Sequence, residues 1–232
     1  MLEDIAVILE SSGTSGEPRF YEISRAQLVR TLERDALAMG ITQNDRLLTF
    51  CPLNHTFGLY AVLQQLGAGG CVILPHEFSR AELVAGLTKR PTWMAAVPPV
   101  VQAIYEARKD DRLKPLFSGL RFIRTSGSPL DPALEVSFEQ EYGVPVLNGY
   151  GSTEIPCVSR NTLSERRTGS VGKPVSGVTV RIANDGQIIA SDADRCVETG
   201  DFGHFEDGFL FVDQPHKGTA RKKTWKERPV TC

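Results

Sequence analysis

Between residues 46 and 147 the chain alternates between two hydrophobic periods, and few architectures accommodate that. Short apolar runs at 46–51, 72–74, 92–97, 120–124 and 144–147 read as strands, and the stretches between them carry helical spacing. Strands that are apolar throughout and joined by helices build a mostly parallel sheet covered on both faces, so the expected fold class is α/β. Start and stop signals agree. Ser24, three residues before Gln27, opens a helix that puts Leu28, Leu32, Ala36 and Met39 on one face and stops at Gly40. Ser79 and Glu82 open another, running to about Thr88, and Pro98-Pro99 starts a third. Residues 52–58 lead into a helix ending near Gly67, and 132–142 read as the last helix.

The pattern changes after Gly169. Runs at 178–182 and 187–191 flank Asn184-Asp185-Gly186, and runs at 202–205 and 209–212 flank Glu206-Asp207-Gly208. Both read as hairpins, giving a small antiparallel β region after the α/β part. The expected division is 1–168 as a nucleotide-binding α/β unit, 169–214 as a small β unit, and 215–232 as a basic, disordered tail. Residues 216–228 hold six Lys/Arg against one Glu, although the whole chain is near neutral at −2. That balance gives no reason to expect a nucleic-acid partner. The five cysteines are scattered without a CxxC pair, which points to free thiols rather than a disulfide frame or zinc site. No apolar run reaches bilayer length, so no membrane partner is expected and the cytoplasm is the default location.

Three Gly- and hydroxyl-rich stretches remain to be explained. Ser11-Ser12-Gly13-Thr14-Ser15-Gly16-Glu17-Pro18-Arg19 follows the apolar run 5–9 and reads as a strand-to-helix loop. Its glycines let backbone N–H groups approach an oxyanion, its hydroxyls donate, and Arg19 adds a cation. It lacks the Gly-Lys-Ser/Thr ending of a P-loop, and alone it reads more readily as a solvated Ser/Gly turn. Thr125-Ser126-Gly127-Ser128-Pro129-Leu130 and Asn148-Gly149-Tyr150-Gly151-Ser152-Thr153-Glu154 each follow a strand. Ligands of open α/β sheets lie outside the carboxyl ends of the strands, where all three loops are expected to cluster.

Together with Asn54-His55-Thr56-Phe57-Gly58, Gly169-Ser170-Val171-Gly172-Lys173-Pro174 and Thr199-Gly200-Asp201, these motifs resemble those of the adenylate-forming superfamily over roughly residues 5–214. That superfamily comprises acyl- and aryl-CoA ligases, luciferases and the adenylation domains of peptide synthetases. The resemblance implies ATP- and Mg2+-dependent activation of a small carboxylic acid as its acyl-adenylate, with coenzyme A or a carrier-protein arm as thiol acceptor. It implies that Ser12, Gly13, Thr14, Ser15 and Gly16, with Arg19, hold the β- and γ-phosphates. Ser126, Gly127 and Ser128 would run along adenine, with Asn148, Gly149, Tyr150 and Gly151 beside it. Thr153 would donate to the α-phosphate, Glu154 would hold magnesium, and Asp201 would accept from the ribose hydroxyls. His55 would lie between the nucleotide and the acid; the alternative for it is a satisfied core histidine. The acid is expected against Gly149 and Gly151, in the room their missing side chains leave.

The departures from the family pattern carry expectations of their own. Arg19 stands where Lys is usual, with different reach. Phe20 replaces a glycine and is expected to crowd the loop, and the chain is short between Ser191 and Thr199. Full-length relatives extend beyond both ends, so the chain reads as truncated and weakly active alone. A separate chain would then supply the C-terminal catalytic lysine, and uncovered apolar surface would favour a homo-oligomer. The rival readings are a non-catalytic binder of nucleotide or acyl-adenylate and an inert remnant of a ligase gene.

Overall fold

A computed structural model describes residues 4–11, 19–213 and 227–228. The first two strands, β1 (Ile5–Ser11) and β2 (Arg19–Ser24), form an antiparallel hairpin in which Ser11 faces Arg19. Residues 12–18 lie outside the described residues; the element that follows them is β2, so the stretch runs from strand to strand rather than from strand to helix. The signal for β2 is period two: Tyr21 and Ile23 are buried, while Phe20 and Glu22 are exposed. Phe20 is 66% exposed, and the loop it was expected to crowd lies outside the described residues.

Helix α1 (Arg25–Met39) follows at once, its N–H at Gln27 capped by Ser24 Oγ at 3.1 Å and its end closed by Gly40. Then come β3 (Arg46–Thr49), α2 (Thr56–Gly67), β4 (Cys71–Ile73), α3 (Arg80–Thr88), β5 (Trp93–Ala95), α4 (Pro98–Glu106), β6 (Phe122–Thr125), α5 (Pro132–Tyr142) and β7 (Val146–Tyr150). The strands lie in the order β4-β3-β5-β6-β7, all parallel. Short antiparallel strands β8 (Ser159–Arg160) and β9 (Lys173–Pro174) extend the sheet beyond β7.

Side chains alternate across this sheet into two cores. Leu48, Met94, Ile123 and Val146 pack against α3, α4 and α5. Leu47, Trp93, Phe122 and Leu147 pack against α1 and α2. One feature of the second layer departs from the sequence reading. The residues of α1 buried most deeply are Gln27, Thr31, Asp35 and Met39, whereas Leu28, Leu32 and Ala36 are only partly buried. Helix α1 therefore buries a mainly polar stripe most deeply, while Leu28 and Leu32 pack on Leu9, Ile23 and Tyr60, and Ala36 on the second core.

The chain ends in an antiparallel sheet of β10 (Thr179–Ile182), β11 (Gln187–Ser191), β12 (Cys196–Glu206) and β13 (Phe209–Val212). Its turns fall at Asn184-Asp185 and Asp207-Gly208, as the hairpin signals predict. Of residues 215–232 only 227–228 are described, and they pair with β12 as strand β14 (Glu227–Arg228). Cys51, Cys71 and Cys157 are free thiols as expected, but Cys196 is disulfide-bonded, which corrects that expectation; Cys232 lies outside the described residues. Among the described residues no helix is long and apolar enough to cross a membrane.

Candidate functional site

Strand order reverses between β3 and β5: the chain leaves β3 for β4 on one side, then continues through β5, β6 and β7 on the other. The carboxyl end beside such a reversal is where open α/β sheets bind ligands. The loop after β3 delivers His55, the loop after β6 delivers Ser126–Leu130, and β7 itself runs into Tyr150.

His55 is the N-cap of α2, and its Nδ1 accepts from the Phe57 N–H at 3.3 Å. It is exposed, so it is no core histidine. Gly127 adopts φ +90°, a conformation that glycine reaches without strain, and a Cβ built there would lie 4.0 Å from His55 Cε1. The histidine and the Ser126-Gly127-Ser128 loop thus face each other across a narrow gap.

Tyr150 and Asp201 also meet. The Tyr150 hydroxyl donates to Asp201 Oδ2 at 2.8 Å, joining the end of β7 to the middle of β12. Burial, and then the Asp201 carboxylate, push the Tyr150 phenol well above its usual pKa, so it remains a donor. The Asp201 N–H donates to Thr199 Oγ1 at 3.2 Å, and Thr199 Oγ1 donates to the Ile188 carbonyl at 2.9 Å. Glu154 is 3% exposed and close enough to Tyr150 to act on its ionisation. Its segment is held in a tight turn, where Ser152 N donates to Ile155 O and Ile155 N donates to Ser152 Oγ.

Two buried polar atoms here have no partner among the described residues: Thr125 Oγ1 and Asn148 Oδ1. Thr125 and Asn148 are register partners at the ends of β6 and β7. A hydroxyl and an amide oxygen left idle side by side suit a ligand edge that both donates and accepts, as a nucleobase edge does. The residues present therefore fit a nucleotide. Ser12, Gly13, Thr14, Ser15 and Gly16 lie outside the described residues, and only the backbone of Arg19 is described.

The missing side chains of Gly149, in β7, and Gly151, just after it, do not leave the expected room. A Cβ on Gly151 would stand 2.3 Å from the Pro156 carbonyl oxygen, and one on Gly149 would stand 3.2 Å from the Ser159 carbonyl oxygen. That space is filled by returning backbone, so both glycines serve close packing. Gly151→Ala should accordingly shift the 151–156 turn and cost about 1–3 kcal/mol, read as a lowered melting temperature.

Beneath the loops lies a group of charges that sequence reasoning missed. Arg124 of β6 and Arg160 of β8 both bind Asp35 of α1, at 3.0 and 2.7 Å, and all three are at most 5% exposed. Arg124 also donates to Gln64 Oε1 of α2 at 2.7 Å, and Arg160 Nη2 donates to Cys157 Sγ at 3.1 Å. Burial, followed by repulsion from Arg160, lowers Arg124 to about 10. The available signal was a lone cation in the otherwise apolar run Phe122-Ile123-Arg124.

A parallel sheet with Gly- and hydroxyl-bearing loops at its carboxyl rim, where Tyr150 is bonded to Asp201 of β12, defines an α/β protein with its candidate site at that rim. Within that class the chain belongs to the AMP-binding enzyme family, whose model matches residues 2–193. It is 34% identical to an oxalate–CoA ligase of Arabidopsis thaliana over 191 residues, covering 79% of this chain and 37% of that protein. It is 30% identical to a 2-succinylbenzoate–CoA ligase of Bacillus pumilus over 243 residues, covering 91% of this chain and 49% of the relative. Among solved structures it resembles a malonyl-CoA ligase ternary product complex with methylmalonyl-CoA and AMP bound, with TM-score 0.81 and 26% identity, covering 90% of this chain and 52% of that one. The chain thus spans about half or less of the length of these relatives.

Proposed function

We propose that this chain forms the nucleotide- and acid-binding part of an acid–thiol ligase, which activates a carboxylic acid as its acyl-adenylate and passes it to coenzyme A. The observation that carries the reading is the Tyr150–Asp201 hydrogen bond at the rim of β7, beside the Ser126–Ser128 loop and His55. A carboxylate fixed against an aromatic hydroxyl at that place suits the ribose and base of a nucleotide. Membership of the AMP-binding family and the CoA ligases among its relatives support the same chemistry.

In this reading Ser126, Gly127 and Ser128 lie along adenine with Tyr150 and Asn148 beside it, and Asp201 takes the ribose hydroxyls. Ser12–Gly16 and Arg19 hold the outer phosphates, Thr153 donates to the α-phosphate, and His55 separates nucleotide from acid. Magnesium, when bound, neutralises phosphate charge as the acid attacks. Glu154 is the carboxylate placed to hold it; among the described residues no group of three or more His, Cys, Asp or Glu forms a metal site. One protein carboxylate with phosphate oxygens and water suffices for such an ion. We further propose 1–168 and 169–214 as two functional units, with the nucleotide held where Tyr150 of the first meets Asp201 of the second.

Calorimetric titration with ATP–Mg2+ tests the assignment. Wild type should bind, and Asp201→Ala should bind about tenfold or more weakly, the cost of a lost hydrogen bond to a charged group. Equal affinity in the two proteins would refute the role of Asp201. ATP–pyrophosphate exchange then separates a ligase from a protein that only holds nucleotide.

A further inference from the structure

Away from the carboxyl rim the chain carries a second concave site. A pocket of about 510 Å3 opens between the open end of the β1–β2 hairpin, the first turn of α1 and the turn that joins β11 to β12. Volumes of that order hold small ligands. The hairpin packs on α1 and α2 through Leu9, Ile23, Leu28 and Tyr60, and the other side of both helices packs on the parallel sheet. The two helices therefore stand between this pocket and the sheet.

The wall carries three carboxylates, Asp4, Glu22 and Asp194, against one cation, Arg195. Two of these four groups are already committed. Asp194 pairs with Arg30 of α1, and Arg195 Nη2 donates to the Glu22 backbone carbonyl at 2.6 Å. Both contacts hold the β11–β12 turn against the α/β part. Asp4 and Glu22 form no ion pair among the described residues, so two negative charges of the wall are left uncompensated.

The floor carries an idle donor. Gln27 lines the pocket at 3% exposure, and its Nε2 has no hydrogen-bond partner among the described residues. Ser24, which also lines the pocket, does not serve that amide, because its Oγ already caps the Gln27 backbone N–H at 3.1 Å. A buried N–H without an acceptor is costly, so the site is short of one acceptor as well as of positive charge.

Those two shortages select the ligand. An anion would satisfy Gln27 but would meet three carboxylates. A metal ion would suit the carboxylates but would meet the Gln27 N–H and the Arg195 guanidinium, and among the described residues no group of three or more His, Cys, Asp or Glu could hold one. An organic cation with a hydroxyl beside its charge meets both needs, its ammonium donating to Asp4 and Glu22 and its oxygen accepting from Gln27. We infer that this pocket is a binding site for a small hydroxylated amine, separate from the nucleotide site. The inference does not rest on the acid-activating reading, since none of these residues has a part in it.

Calorimetric titration of the full chain with serinol and glucosamine, against glycerol and glucose, tests it. Each amine differs from its neutral counterpart by one ammonium in place of one hydroxyl. Wild type should bind the amine about tenfold more tightly, because carboxylates partly open to water deliver only part of the worth of a charge-assisted bond. Glu22→Gln keeps the carbonyl that Arg195 binds and should reduce the preference several-fold, as should Asp4→Asn; circular dichroism checks both folds. Gln27→Leu should weaken serinol and leave butylamine, which brings charge without an acceptor, unchanged. If Gln27→Leu does not fold, the same donor is read on wild type, where serinol should bind more tightly than butylamine. Equal binding of serinol and glycerol by wild type, or a preference unchanged in Glu22→Gln and Asp4→Asn, overturns the proposal. So does displacement of serinol by an equal concentration of Mg2+, since the pocket would then be a metal site.

Discussion

Asp35→Asn should lower the melting temperature by about 10 °C, because removing one partner of a buried ion group costs about 3–5 kcal/mol and a chain of this size loses a few degrees per kcal/mol. The side chain is nearly isosteric, so the loss is electrostatic: Arg124 and Arg160 would remain buried at contact distance with no anion between them. Arg124→Gln should cost clearly less, since it leaves one cation against one anion. That ordering separates charge balance from packing, which would rank the larger deletion as worse. The pH dependence provides a second check. Burial opposes ionisation of Asp35, but attraction to Arg124 and Arg160 overcomes it and holds the carboxyl below its usual range. A carboxylate depressed on folding contributes stability that is complete above its unfolded pKa, about 3.9, and is lost as pH falls through the folded value. The gap between wild type and Asp35→Asn should therefore be constant from pH 7 to about 5 and shrink below about 4. A gap that persists unchanged at pH 2 would show that the loss is steric.

Much of this fold was legible because its signals are local. Helix α5 spans the residues that Asp131-Pro132 and Gly143 delimit, and Ser79 Oγ accepts from Glu82 N at 3.2 Å as the spacing of those two residues requires. The parallel strands are short, mostly apolar runs, which suit a sheet covered on both faces. What escaped depended on distant partners. Strand β2 went unassigned between the Ser/Gly stretch and the helix opening at Ser24, because its four alternating residues gain meaning only when paired with β1. The apolar residues of α1 pack against cores as their spacing suggested, but the sequence did not show that Gln27, Thr31 and Asp35 are buried more deeply still. No single-chain period reveals that a polar stripe is buried; that follows from Arg124, Gln64 and Arg160 arriving from three other elements. Gly149 and Gly151 were legible as glycines but not as to purpose, since the backbone filling their Cβ space comes from residues 155–160.

The site was legible in the same uneven way. Tyr150 and Asp201 were named from separate motifs, and the fold brings them to 2.8 Å. Glu154 carries the second large expectation. It is 3% exposed, in a turn pinned at both ends by Ser152 and Ile155, so it is held rather than free to seek an ion. A buried carboxylate of fixed position is suited to a metal ion that arrives already bound to phosphate, because little ordering remains to be done on binding. If that is its role, ATP affinity should rise when Mg2+ is added to wild type and should not rise in Glu154→Gln, a difference of about 10- to 100-fold at saturating metal. Glutamine keeps the shape, so the turn and the Tyr150–Asp201 pair should survive, and affinity for metal-free ATP should change little or increase as one negative charge is withdrawn from the triphosphate. That opposite sign makes the test decisive. A carboxylate with a purely structural role, once replaced, would weaken ATP binding with and without magnesium alike, and that outcome would remove Glu154 from the metal site.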